Sequence, residues 1–129
     1  MKLSKKLVMV MKFGYDSLNA FETVTLIPME NENYTIETTQ YPFVYKNGFL
    51  VGTIFIRCVN PTTSYSIVAK LPEGYYVQGI THYFQVDETT GDASVPRIFI
   101  YAGSSGFGVR GGQAGKTYVG LVNIVCGKN

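Results

Sequence analysis

Tryptophan is absent from this 129-residue sequence, histidine occurs once, cysteine twice, and charged side chains make up only 16% of the chain. Each shortage removes a class of function. A nucleophile needs a base within hydrogen-bond reach and a third group to orient that base, and the sole histidine, His82, stands in a strand-like pattern beside Ile80 and Phe84. That parity makes it a half-buried packing residue rather than a general base, and Ser104, Ser105 and Cys58 have no triad-like context. Two cysteines are too few for a disulfide framework, and without a C-x-x-C or a Cys/His cluster they make no zinc site. Cys58 and Cys126 read as buried free thiols, with a bridge between the second apolar strand and the last as the alternative.

Charge is short as well as scarce in pattern. The formal net charge is only +2 and no dense basic stripe is present, which excludes a nucleic-acid phosphate backbone as partner. The carboxylates Asp87, Glu88 and Asp92 crowd one polar loop without the oxygen-ligand spacing of an EF-hand, so they form a solvated turn. Gly103-Ser104-Ser105-Gly106-Phe107-Gly108 is followed by neither a Lys-Ser/Thr pair nor a helix pattern, so it is a hairpin turn and no phosphate cradle. No catalytic residue, cofactor or metal is expected.

What the chain has is length enough for a real core, and β-structure throughout. At 129 residues it makes one domain that needs no staples. Residues 1–20 stand apart: Lys2, Lys5, Lys6 and Lys12 bracket the apolar residues 7–11. A secretory signal needs an apolar stretch of about 7–15 residues, so this segment is neither a signal nor a membrane span. It reads as a docking strand or helix, or as the remnant of a neck. Over residues 21–129, Glu22-Thr23-Val24-Thr25-Leu26-Ile27 alternates polar and apolar until Pro28 stops it, and residues 64–70 and 78–86 read as two further strands. Asn47-Gly48 between Val44-Tyr45-Lys46 and Phe49-Leu50-Val51 is the strongest hairpin signal, because both residues tolerate the positive φ of a type I′ turn. Arg97, Phe99 and Tyr101 oppose Ile98 and Ile100 on the next strand; residues 87–94 are a polar surface loop and residues 111–115 a flexible link. Short strands separated by glycine turns, with no helical stripe and no internal repeat, mean an all-β sandwich or barrel.

One order of strands carries more. Tyr41-Pro42-Phe43-Val44-Tyr45, the apolar strand Phe49-Leu50-Val51-Gly52-Thr53-Ile54-Phe55-Ile56, the corner Leu71-Pro72-Glu73-Gly74-Tyr75, then Arg97-Ile98-Phe99-Ile100-Tyr101 and the closing Tyr118-Val119-Gly120-Leu121-Val122-Asn123-Ile124 follow one another. Over residues 21–129 this order resembles the C-terminal head domain of phage tail-fibre and baseplate receptor-binding proteins of the kind found in phages and prophages of Gram-positive bacteria. The resemblance implies a jelly-roll-like antiparallel β-sandwich or barrel assembled as a homotrimer. It implies a non-enzymatic virion protein at the tail tip, made in the host cytoplasm, whose partners are other tail or baseplate proteins and host cell-wall saccharides such as teichoic acid components. Folding in a reducing cytoplasm favours free thiols.

Ten tyrosines and eight phenylalanines are the chemistry that remains. A tyrosine ring stacks on the apolar face of a pyranose while its hydroxyl bonds to the sugar's. The candidate ligand-binding residues are therefore Tyr75 and Tyr76 as stacking platforms after the corner, with His82, Tyr83, Asp87 and Arg97 as hydrogen-bonding groups. Most other tyrosines are expected in the core or at subunit contacts. Two further readings stand beside the receptor-binding head: a structural virion connector with only protein partners, and a bacterial carbohydrate-binding or adhesion domain.

Overall fold

A computed structural model describes residues 21–129, so the lysine-rich segment 1–20 and the docking element expected there lie outside the described residues. Eleven strands follow in chain order: β1 (Glu22–Val24), β2 (Ile27–Pro28), β3 (Tyr34–Glu37), β4 (Phe43–Lys46), β5 (Phe49–Cys58), β6 (Ser66–Lys70), β7 (Tyr75–Val77), β8 (His82–Glu88), β9 (Ile98–Gly103), β10 (Gly106–Gly111) and β11 (Thr117–Lys128). Among the described residues there is no helix, and every pairing is antiparallel.

The strands form one sheet curled into a half-barrel, in the order β1-β4-β5-β11-β8-β9-β10-β6-β2, with β3 also on β5 and β7 also on β11. Its spine is the long pair β5 and β11, in register from Phe49↔Val125 to Arg57↔Thr117. Period-two alternation explains why: Leu50, Ile54, Ile56 and Cys58 of β5, and Tyr118, Val122, Ile124 and Cys126 of β11, all point inward and are buried. The opposite wall supplies Val68, Ile98, Ile100, Phe107 and Val109, and the Phe43 and Phe107 rings meet edge to face across the core at 6.2 Å. Each such side chain removed from water contributes about 1.5–3 kcal/mol, which holds the curl closed.

Two strands do more than the alternation suggested. Residues 22–27 do not make one strand: β1 and β2 lie at the two ends of the sheet and are separated only by Thr25 and buried Leu26, so the chain kinks there and draws both ends together. Residues 78–86 are likewise not one strand. Gly79, with φ of +83°, turns the backbone, so β7 pairs with β11 while β8 starts at His82 and pairs with β9; Ile80 is left exposed in the bend rather than beside Phe84. Strand β8 is itself shared, giving His82–Val86 to β9 and Asp87 and Glu88 to β11.

Local turn chemistry comes out as read. Asn47 and Gly48 hold φ of 52° and 83° between β4 and β5. The Leu71-to-Tyr75 corner is a β-turn, closed by the Tyr75 N–H on the Pro72 carbonyl at 3.2 Å with Gly74 at φ 95°. Residues 111–115, in contrast, are tethered rather than loose. Gly111 N–H donates to Thr62 O at 2.9 Å, Gly115 N–H to Cys58 O at 2.8 Å, and the fully buried Tyr34 donates its hydroxyl to Gly111 O at 2.7 Å. Tyr118 is a core residue too; its hydroxyl donates to Pro96 O at 2.7 Å and accepts from Gln113 N–H at 2.9 Å. Cys58 and Cys126 are free and buried, and burial pushes both thiols up from their ordinary pKa.

Candidate functional site

Tyr83, Gln85 and Asp87 occupy alternate positions of β8, so all three point away from the core, as their exposure confirms. The register then lines them up across the sheet: Tyr83 faces Tyr101, which faces Gly108, and Gln85 faces Phe99, which faces Arg110. Arg97, one residue before β9, reaches back to Asp87 with Nε to Oδ1 at 2.5 Å and to Gln85 at 3.5 Å. Tyr83, Asp87 and Arg97 therefore share one outer face, on which Tyr83 is 70% exposed.

Gly108 gives this face its shape. The Tyr101 ring lies flat on the β10 backbone where a Cβ at position 108 would stand, within 2.7 Å of the ring's Cδ1 and Cζ and closer still to Cε1. Only glycine leaves that space. With no side chain in the way, Tyr65, at the edge next to β6, leans across to meet Tyr101 edge to face at 5.0 Å and comes within 6.4 Å of the Tyr83 ring. Tyr83 and Tyr101 are 6.3 Å apart, and the Tyr101 hydroxyl is tied to Ser105 Oγ at 3.0 Å. The guanidinium of Arg110 stacks on Phe99 at 4.3 Å and approaches Tyr65 at 5.1 Å. Such contacts are worth roughly 0.5–1 kcal/mol each at exposed sites, enough to bias rotamers and hold the group as a plate.

The other three candidates lie elsewhere. Tyr75 is engaged structurally: its hydroxyl donates to Glu22, its ring meets Tyr45 edge to face at 5.4 Å, and Lys128 Nζ sits 5.5 Å from the ring centre and 2.5 Å from Glu22 Oε1. Hydrogen bonds from Lys128 first and Tyr75 second hold the Glu22 carboxyl below its ordinary pKa, and the bond to Glu22 raises that of Tyr75 in turn. Tyr76 packs over Gly127 and borders a groove of about 570 Å³ between the corner and the β9–β10 turn, with Met29, Ile67, Lys70 and Ser104. His82 faces buried Ala102 across the β8–β9 pair, on the other side of the sheet from Tyr83, and its Nε2 is buried without a hydrogen-bond partner.

The polar loop after β8 satisfies itself. Glu88, expected in a solvated turn, ends β8 and is buried, accepting from the Thr90 amide at 3.0 Å and from the Thr90 hydroxyl; Asp92 accepts from Ser94 N–H at 2.9 Å and Oγ at 2.7 Å. Among the described residues no group of three His, Cys, Asp or Glu side chains is placed to hold a metal ion.

A second outer face has the opposite character. Phe49 and Val51 of β5, and Leu121 and Val125 of β11, are exposed on one side of this strand pair, with Leu121 at 73%; Phe49 faces Val125, while Val51 faces Asn123 and Leu121 faces Thr53. The face continues to Phe55, on which Tyr41 stacks at 4.8 Å.

No family model matches the chain, and no match to it is found among curated proteins or solved structures. The site thus stands on its own geometry. Tyr65, Phe99, Tyr101, Gly108 and Arg110 are the residues of the plate that sequence reasoning did not name as candidates. Four of them were within reach, since the Gly103↔Gly106 hairpin register dictates that 101 faces 108 and 99 faces 110. Tyr65 was not, because it arrives through the non-local pairing of β6 with β10.

Proposed function

We propose that this chain is a non-enzymatic receptor-binding head of a phage or prophage tail fibre or baseplate, which recognises host cell-surface saccharide through the Tyr65–Tyr83–Tyr101 plate. The observation that carries the binding reading is the plate itself: three tyrosines and a stacked arginine on a rigid sheet, outside the core, with Tyr83 largely open to solvent. Rings held at fixed distances offer flat apolar surface for a sugar's C–H face, and their hydroxyls offer donors and acceptors at its rim. A sheet face loses little entropy on binding, which suits weak single contacts multiplied by avidity. The phage assignment rests on the strand order of residues 21–129 and on its Leu71-to-Tyr75 corner. In that setting the jelly-roll-like homotrimer is the assembly, and the apolar face of Phe49, Val51, Leu121 and Val125 is the surface available for subunit contact.

Binding of the purified chain to isolated wall polysaccharide and to a glycan array tests this reading. Wild type is expected to bind, and Tyr83→Ala, which removes an exposed ring, to lose binding while keeping its thermal midpoint and oligomeric state. Cleavage of the polymer by the chain alone would overturn the non-enzymatic reading.

The apolar face favours one second reading, a virion connector whose partners are proteins only. It expects no saccharide binding by any variant, and loss of partner or self-association in Leu121→Lys.

A further inference from the structure

The plate carries one charge that nothing among the described residues answers. Of its ionic groups, Asp87 and Arg97 neutralise one another at 2.5 Å. Arg110 forms no ion pair among the described residues and lies over the rings of Phe99 at 4.3 Å and Tyr65 at 5.1 Å; the other ion pair, Lys128 with Glu22, involves neither this strand nor this face. Arg110 is also half-buried, so part of its hydration is already replaced by rings. Stacking occupies the faces of a guanidinium and leaves the in-plane N–H fork free, the part that pairs with two oxygens of one anion.

We infer that the saccharide recognised by the plate bears an anionic group, carboxylate or phosphate, which docks on the N–H fork of Arg110 while a neighbouring sugar ring lies on Tyr83 and Tyr101. Arg110 is then the specificity-determining residue. This inference rests on the saccharide reading above and deepens it. The ion pair beside it has a definite part: by cancelling Arg97, Asp87 leaves a single uncompensated cation at the Tyr65 side of the plate, so the anion's position, and with it the direction of the sugar chain, is set. An uncompensated cation at the protein surface attracts anions over roughly 8–10 Å at physiological salt, so capture weakens as salt rises.

The test is an array that presents the same oligosaccharide backbones in neutral, carboxylate-bearing and phosphate-bearing forms, probed with the full chain. Wild type is expected to prefer an anionic form over its neutral match by about tenfold or more, the size of a charged hydrogen-bond pair. Arg110→Gln erases that preference, Arg110→Lys retains part of it, and Arg57→Gln, which removes an equal charge from the outer face of β5, leaves it intact. Whichever anionic form binds tells carboxylate from phosphate. Equal binding of neutral and anionic forms by wild type overturns this inference but leaves the saccharide reading standing, as does an anionic preference that survives in Arg110→Gln. Silence of the whole array overturns both. Inorganic phosphate titrated alone gives the last check: if it competes as strongly as the anionic sugar itself, the rings contribute nothing and the inference fails.

Discussion

The close approach of Tyr101 to Gly108 invites a test that separates sterics from everything else. In Gly108→Ala the new methyl would stand 2.7 Å from Cδ1 and Cζ of the ring, against an ordinary carbon contact of about 3.5–4.0 Å, with Cε1 nearer still. Because Gly108 has no positive φ, its backbone suits alanine, and the whole penalty comes from the ring. Tyr101 must swing off β10, breaking its contacts with Tyr65 and Ser105, at a cost of about 1–3 kcal/mol by analogy with overpacked sites. In a Tyr101→Ala background the obstacle is gone, and the same substitution should be neutral or stabilise by about 0.5–1 kcal/mol through the loss of glycine's unfolded-state freedom. Urea unfolding of the four proteins, followed by tyrosine fluorescence in a chain without tryptophan, gives the coupling. Near-equal effects of Gly108→Ala in both backgrounds, within about 0.5 kcal/mol, would refute the account of how the plate is built. The same variant should weaken saccharide binding although it adds only a methyl group.

Tyr118→Phe leaves the Pro96 carbonyl and the Gln113 amide without their buried partner, and is expected to cost about 1–3 kcal/mol by urea midpoint; Tyr41→Phe, at an exposed hydroxyl, should be silent and serves as the control. Glu22 ties β1 to Tyr75 and Lys128, and its carboxyl is held below its ordinary value of 4.5. Its stabilising contribution is thus full above that value and is lost as pH falls through the lowered folded pKa. Denaturation midpoints across the acid range should fall less steeply in Glu22→Gln, with a residual slope from Glu37 and Asp92, whose pKa values are also lowered, by backbone and side-chain hydrogen bonds respectively. Cys58 and Cys126 are buried with their thiols raised, so native protein should react with a thiol reagent only at the rate of unfolding, and both should react at once in urea.

Local chemistry was legible along the chain, and what depends on distant partners was not. Alternation in 97–101 told which side chains share a face, and Asn47-Gly48, Pro72-Gly74 and Gly103-Gly106 told where the chain turns, because period two and positive φ are properties of a few adjacent residues. Three of the six candidate binding residues, Tyr83, Asp87 and Arg97, came together for that same reason, since two adjacent strands and their parity are enough to unite them. Tertiary structure decided the remainder. It split 22–27 and 78–86 by giving each half a different neighbour, drew Tyr75 into a structural clasp with Glu22 and Lys128 more than 50 residues distant along the chain in either direction, and brought Tyr65 across Gly108 to complete the plate. Sequence by itself determined an all-β chain rich in tyrosine; the fold determined which tyrosines are buried, as Tyr34 and Tyr118 are, and which meet on an outer face. A strand's own residues set its faces, but its neighbours are chosen by how well the whole sheet buries its inner side, a quantity no local window contains.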